Sequence, residues 1–170
     1  MARILVGTVP IGGHVAPMAM LVRGLVDAGH EVLWYSGSKY RLAIEASGAR
    51  FVGRKAAIDY DDARFEHVPE RANHAGIDQL KFDLKHGFID DVPGQLQDLR
   101  AILGEFSPAL LLADPAFIGG LALSELEGVP FAVLGVLPMT LGSIDTAPYG
   151  LGLPPNASAL GRLRNRALRW

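Results

Sequence analysis

Short apolar runs and longer amphipathic stretches alternate along this chain, and their spacing predicts the elements. Residues 4–9 read as a first strand that breaks at Pro10-Ile11-Gly12-Gly13-His14. Met18, Leu21, Val22, Leu25 and Val26 then recur at the i, i+3, i+4, i+7, i+8 spacing of a helix packed on a sheet. Pro17 is expected in the first turn of that helix, and Gly29 is expected to stop it. Residues 31–35 predict a second strand, Ser38 a cap for a short helix ending near Gly48, and residues 50–52 a brief third strand. From 77 to 103 the pattern is mostly helical, with a break expected at Pro93-Gly94. Strands over 109–113 and 131–136 flank a helix over 118–127, and a basic helix starts near Ser158.

This rhythm of strand and helix implies an α/β fold: a doubly wound, mostly parallel, Rossmann-like sheet. Right-handed crossovers then give the strand order 3-2-1-4-5. Strands one and four become neighbours. Residues 53–75 break the pattern, holding Asp59, Asp61, Asp62, Glu66 and Glu70 among aromatics with no sustained period. A loop of that length inside a domain is usually functional or mobile.

Composition narrows the classes. At 170 residues the chain suits one domain with its own core. Its formal net charge of -2 argues against a nucleic-acid partner, although Arg162, Arg164, Arg166 and Arg169 form a local basic cluster. With no Cys there is no disulfide framework and no thiolate metal site, which fits a reducing, cytoplasmic setting. The first apolar run is too short for a signal peptide or a membrane span, and glycines and a histidine follow it. The helical pattern of residues 160–170 stops with no cap, no glycine and no polar tail, as expected of a sequence cut within an element.

The chemistry centres on His14. Ligands of open α/β sheets bind at the carboxyl ends of strands, and an imidazole there is a ready general base. Asp114 follows the apolar run Leu110-Leu111-Leu112-Ala113, so it lies at the same end of strand four. An aspartate accepting from one ring nitrogen would fix the tautomer and stabilise the imidazolium. The plainer alternatives are a His14 that only bonds backbone and an Asp114 that only caps the next helix. The first loop lacks the Lys-Ser/Thr of a P-loop and the offsets of the dinucleotide fingerprint. Phe82, Leu84, Phe88, Ile89 and Met139 could line a pocket beside His14, or could be core. His67, His74 and His86 show no metal-ligand spacing, and Asp90-Asp91 reads as a surface pair.

Gly13-His14-Val15-Ala16-Pro17, with Leu21, Leu25 and Ala28-Gly29-His30-Glu31-Val32, resembles the start of UDP-sugar-type glycosyltransferases of the GT-B fold (glycosyltransferase family 1, especially its bacterial macrolide and natural-product branch). Ser107-Pro108-Ala109-Leu110-Leu111-Leu112-Ala113-Asp114 and Leu126-Glu127-Gly128-Val129-Pro130 look like the same family. The resemblance implies that residues 1–170 are the N-terminal, acceptor-binding half of a two-domain enzyme, whose nucleotide-sugar-binding half lies outside this sequence. It implies inverting transfer of a sugar from a nucleotide-sugar co-substrate to a hydroxyl of a small apolar acceptor, with no resident cofactor and no metal. His14 would be the base, Asp114 its partner, and Ile11, Gly12, Gly13, Phe82, Phe88 and Met139 would touch the acceptor. His30 would be a turn residue. Alone, the half should bind acceptor weakly and turn over little, and its uncovered apolar surface is expected to favour self-association. Two other readings stay open: a non-catalytic ligand- or partner-binding module, and half of a sugar-nucleotide epimerase.

Overall fold

The computed structural model describes residues 1–63, 69–136 and 142–169. Residues 1–136 and 137–170 form two units. In the first, β1 (Arg3–Gly7), β2 (Glu31–Ser36), β3 (Arg50–Gly53), β4 (Leu110–Ala113) and β5 (Phe131–Val133) make one sheet in the order β3-β2-β1-β4-β5. Every pairing is parallel. The helices between them are α1 (Gly12–Asp27), α2 (Arg41–Ala46), α3 (Gly76–Leu84), α4 (Val92–Phe106) and α5 (Ile118–Glu127).

The sheet buries apolar side chains on both faces, as a parallel sheet covered by helices must. Leu5, Leu33, Tyr35, Leu111 and Ala113 share one cluster with Leu99, Ile102 and Phe106 of α4 and Leu123 of α5. Ile4, Val6, Val32, Trp34 and Leu112 share the other with Val15, Met18 and Val22 of α1 and Ile44 of α2. Gly7 is required where β1 ends, because a Cβ there would lie 2.3 Å from the Phe117 ring. The fully buried Trp34 indole donates to Thr8 Oγ1 (3.0 Å), and that hydroxyl bonds Ser36 Oγ (3.0 Å).

Several local expectations are corrected. Pro17 is the sixth residue of α1 rather than part of its first turn. Ser38 does not cap α2 with its side chain; it starts a single 3₁₀ turn (Ser38–Tyr40), and its backbone amide donates to Asp59 Oδ1 (3.0 Å). The helical break falls at Asp90-Asp91, with Pro93 inside the first turn of α4, where its missing N–H is no loss. Before that break α3 runs into a π-helical turn (Lys85–Ile89). Strand β5 ends at Val133, short of the expected residue 136.

The second unit carries α6 (Ala159–Ala167), where the sequence placed it. Ser158 caps it, its hydroxyl accepting from the Gly161 amide at 3.0 Å. Arg162 pairs with Asp145 (2.7 Å), and Asn165 Nδ2 donates to the Ile144 carbonyl (3.2 Å). Among the described residues no helix is long and apolar enough to cross a membrane.

Candidate active site

Because β1 and β4 are neighbours, in register Gly7 to Ala113, the segments that follow them leave the sheet on one edge. His14 occupies the third position of α1, and Asp114 directly follows β4. His14 Nδ1–H donates to Asp114 Oδ1 at 2.8 Å, a contact between residues 8% and 1% exposed. An ionised carboxylate only accepts, so this bond puts the neutral ring's proton on Nδ1. Nε2 then has its lone pair free, with no hydrogen-bond partner among the described residues, and the side chain keeps 10% exposure.

Asp114 is itself held. Its Oδ2 accepts from the Val9 amide (2.9 Å) and its Oδ1 from the Ala116 amide (2.7 Å). It does not cap α5, whose N-cap position is Phe117. The aspartate thus ties the loop after β1 to the loop after β4, and the imidazole is oriented from a fixed point. His30 is a turn residue whose Nδ1 accepts from the Ala2 amide at 3.2 Å.

Two of the cavities on the same unit share wall residues. One, of about 220 Å³, is walled by Ile11, Tyr60, Asp62, Arg71, Asp83, Gly87 and Phe88. The other, of about 300 Å³, shares Tyr60, Arg71 and Gly87 and adds Ile58, Phe82, His86, Asp90 and Asp91. Ile11, Phe88 and Phe82 are therefore cavity walls, and His14 lines neither cavity. Gly12 lines neither cavity, and its amide donates to Asp62 Oδ2 at 3.0 Å. Gly13 is exposed and lines neither cavity. Leu84 and Ile89 are exposed and line neither. Met139, Glu66 and His67 lie outside the described residues. His74 pairs with Asp78 (2.5 Å) and His86 with Asp90 (2.8 Å), with Phe82 stacked on the His74 ring and tilted against the His86 ring.

The sequence reading missed how the long loop is fastened. Asp91, expected at the surface, is buried and pairs with Arg54 at 2.6 Å while accepting from the Ile58 amide (2.7 Å) and Gln95 Nε2 (2.9 Å). Asp98 accepts from the Lys55 (2.9 Å), Ala56 (2.8 Å) and Ala57 (3.2 Å) amides and from the Tyr35 hydroxyl (2.8 Å). Burial alone would raise the Asp98 pKa, but the backbone amides and Tyr35 outweigh it and hold the carboxyl below its usual value. Asp62 accepts from Tyr40 (2.7 Å), Gly12 and Lys39. Its partial burial is outweighed by those bonds, which bring its pKa to about 2. Tyr60 is pushed up to about 12, first by burial and then by Asp91, Asp114 and Asp62, against the lowering effect of Arg54. It stays neutral. The one signal in the sequence was the cluster of aspartates in an overlong loop.

No family model matches the chain. A 4'-demethylrebeccamycin synthase of Lentzea aerocolonigenes is 40% identical over 169 residues, covering 99% of this chain and 40% of that protein. UDP-glycosyltransferase 2 of Phaeomoniella chlamydospora is 31% identical, over 96% of this chain and 38% of its own length. Among solved structures, the kitacinnamycin glycosyltransferase superposes with a TM-score of 0.62 at 26% identity, over 82% of this chain and 31% of that one. A calicheamicin glycosyltransferase gives 0.63 at 25% identity, over 79% and 32%. The chain spans about two fifths of the length of the curated relatives it matches. Across nearly all of its residues, which fold on a five-stranded parallel sheet, this chain is similar to glycosyltransferases of natural products and to UDP-glycosyltransferases.

Proposed function

We propose that residues 1–170 supply the acceptor-binding, N-terminal half of an inverting glycosyltransferase that moves a sugar from a nucleotide-sugar donor to a hydroxyl of a small, largely apolar, natural-product-like acceptor. The observation that carries this reading is the 2.8 Å His14–Asp114 bond at the sheet edge, with Nε2 left unpartnered among the described residues. The relatives' names supply the reaction class.

In this reaction Nε2 takes the acceptor's hydroxyl proton as the acceptor oxygen attacks the anomeric carbon. The new O–C bond forms on the face opposite the leaving group. The bond from that carbon to the phosphate oxygen breaks, and the nucleoside diphosphate leaves with the electron pair. Asp114 stabilises the imidazolium that results without itself taking the proton. The proton transfer uses side chains alone, with the nucleotide sugar as co-substrate held chiefly by a second half. The lack of Cys suits a cytoplasmic setting.

His14→Ala in the full-length protein tests the assignment. Transfer from nucleotide sugar to acceptor should fall by about 10²–10⁴-fold, the usual worth of a general base, with the melting temperature little changed. An unchanged transfer rate in a folded variant overturns the base role. Conversion of the nucleotide sugar with no acceptor added would point to epimerase chemistry instead.

A further inference from the structure

Helix α1 starts without the side chains that usually secure a helix start. Its N-cap position is Ile11, which has no side-chain acceptor, and no acid lies in its first turn. Gly12 and Gly13 open that turn, and glycine leaves a backbone the widest conformational freedom. His14 is the next residue, so the base stands on a turn that its own sequence does little to fix. The amides at a helix start need acceptors from elsewhere. Among the described residues one side chain reaches them: Asp62, fifty residues on, whose Oδ2 accepts from the Gly12 amide at 3.0 Å.

Asp62 is itself held for this. The Tyr40 hydroxyl donates to the same Oδ2 at 2.7 Å, and the Lys39 ammonium donates to Oδ1. Both donors belong to the 3₁₀ turn after β2 (Ser38–Tyr40). The space is tight: a Cβ at Gly12 would stand 3.3 Å from the Tyr40 hydroxyl. A carboxylate here also faces the positive end of the α1 dipole. His14 is therefore gripped from two directions, its ring by Asp114 and the backbone two residues before it by Asp62. We infer that Asp62 is a positioning residue for His14: it stands in for the missing N-cap of α1 and keeps the first turn, and with it the imidazole, aligned on Asp114. This rests on the base role proposed above.

The test compares Asp62→Ala, which removes the cap, with Asp62→Asn, which keeps an oxygen for the Gly12 amide, in the full-length protein. In Asp62→Ala, kcat for transfer should fall roughly tenfold or more, because displaced catalytic groups lose rate steeply. Asp62→Asn should stay within about threefold of the unaltered protein, since Asn caps helices as well as Asp does. Asp62 also walls a cavity, so the acceptor KM is read separately. It should change by less than about threefold in either variant, the mark of a residue that acts on the chemical step. In protein carrying isotope-labelled histidine, the His14 Nδ1–H resonance is assigned by its loss in His14→Gln. Its exchange with water should be about tenfold faster in Asp62→Ala, as a loosened turn opens the Asp114 bond, and unaltered in Asp62→Asn. A role in helix stability alone would lower the melting temperature and leave kcat and ring exchange where they were. If Asp62→Ala does not fold, Asp62→Ser, whose hydroxyl falls short of the Gly12 amide, takes its place. Unchanged kcat and ring exchange in a folded variant would overturn the inference, as would a raised KM with kcat kept, or an Asn variant as impaired as the Ala variant. Ring exchange is read without turnover, so its outcome is separate from whether His14→Ala abolishes transfer.

Discussion

At the scale of single residues, Asp114 is the more exacting half of the pair. Its two oxygens accept three N–H groups: the His14 ring, the Val9 amide and the Ala116 amide. Asn is nearly isosteric but offers one oxygen and one NH₂. It cannot satisfy all three donors, and its amide nitrogen would face an N–H. Asp114→Asn should therefore lower stability by about 1–3 kcal/mol, the cost of a buried donor left unpaired. It also removes the charge that balances the imidazolium, so transfer should fall by roughly 10²-fold or more in protein that is still folded. A denaturation curve and a transfer assay on the same preparation separate the two effects. A fully active Asn variant would mean that the carboxylate is structural only. The pairing was legible in the sequence, because Asp114 directly follows the apolar run of β4 and His14 sits on the turn and helix start that follow β1, at the same edge of the sheet.

At the scale of elements, the segment that was illegible is the one held by carboxylates. Periodicity finds an element by the face it buries, and residues 54–62 have no such face. They are fixed by side chains distant in sequence: Asp98 from α4, Asp91 just before it, and Tyr40 through Asp62. The same blindness put the helical break at Pro93, since proline is a strong local signal while the Asp91–Arg54 pair is not local at all. This gives the loop a pH dependence. The Asp98 carboxyl is held below its usual pKa, so its stabilisation is complete above the unfolded value of about 3.9 and is lost as pH falls through the lower, folded value. Asp98→Asn should cost about 1–3 kcal/mol at pH 7. The gap between variant and unaltered protein should shrink steadily below about pH 4. Urea midpoints at pH 7, 4 and 3 would check this, and a gap that widened on acidification would reverse the sign of the argument.

On the scale of the whole sheet, strand order follows from handedness and short connections, which is why alternating runs sufficed to foretell β3-β2-β1-β4-β5. What makes that order a site is the rigidity of its centre. Leu111 in β4 is fully buried, lies opposite Leu5 in register with β1, and packs in the cluster that also holds Leu99, Phe117 and Leu123. Leu111→Ala removes those contacts and leaves a cavity that a sheet paired on both sides cannot collapse to fill, so it should cost about 2–5 kcal/mol. Met20, on the outer face of α1 and 82% exposed, should cost less than about 0.5 kcal/mol when changed to Ala. Asp114 stands three residues past Leu111, and His14 is positioned by a helix packed on the other side of the same strands. Loosening the centre should therefore also reduce acceptor binding in Leu111→Ala at temperatures below its melting point, and Met20→Ala should leave binding alone. Acceptor affinity that followed the exposed change and ignored the buried one would separate the site from the sheet that carries it.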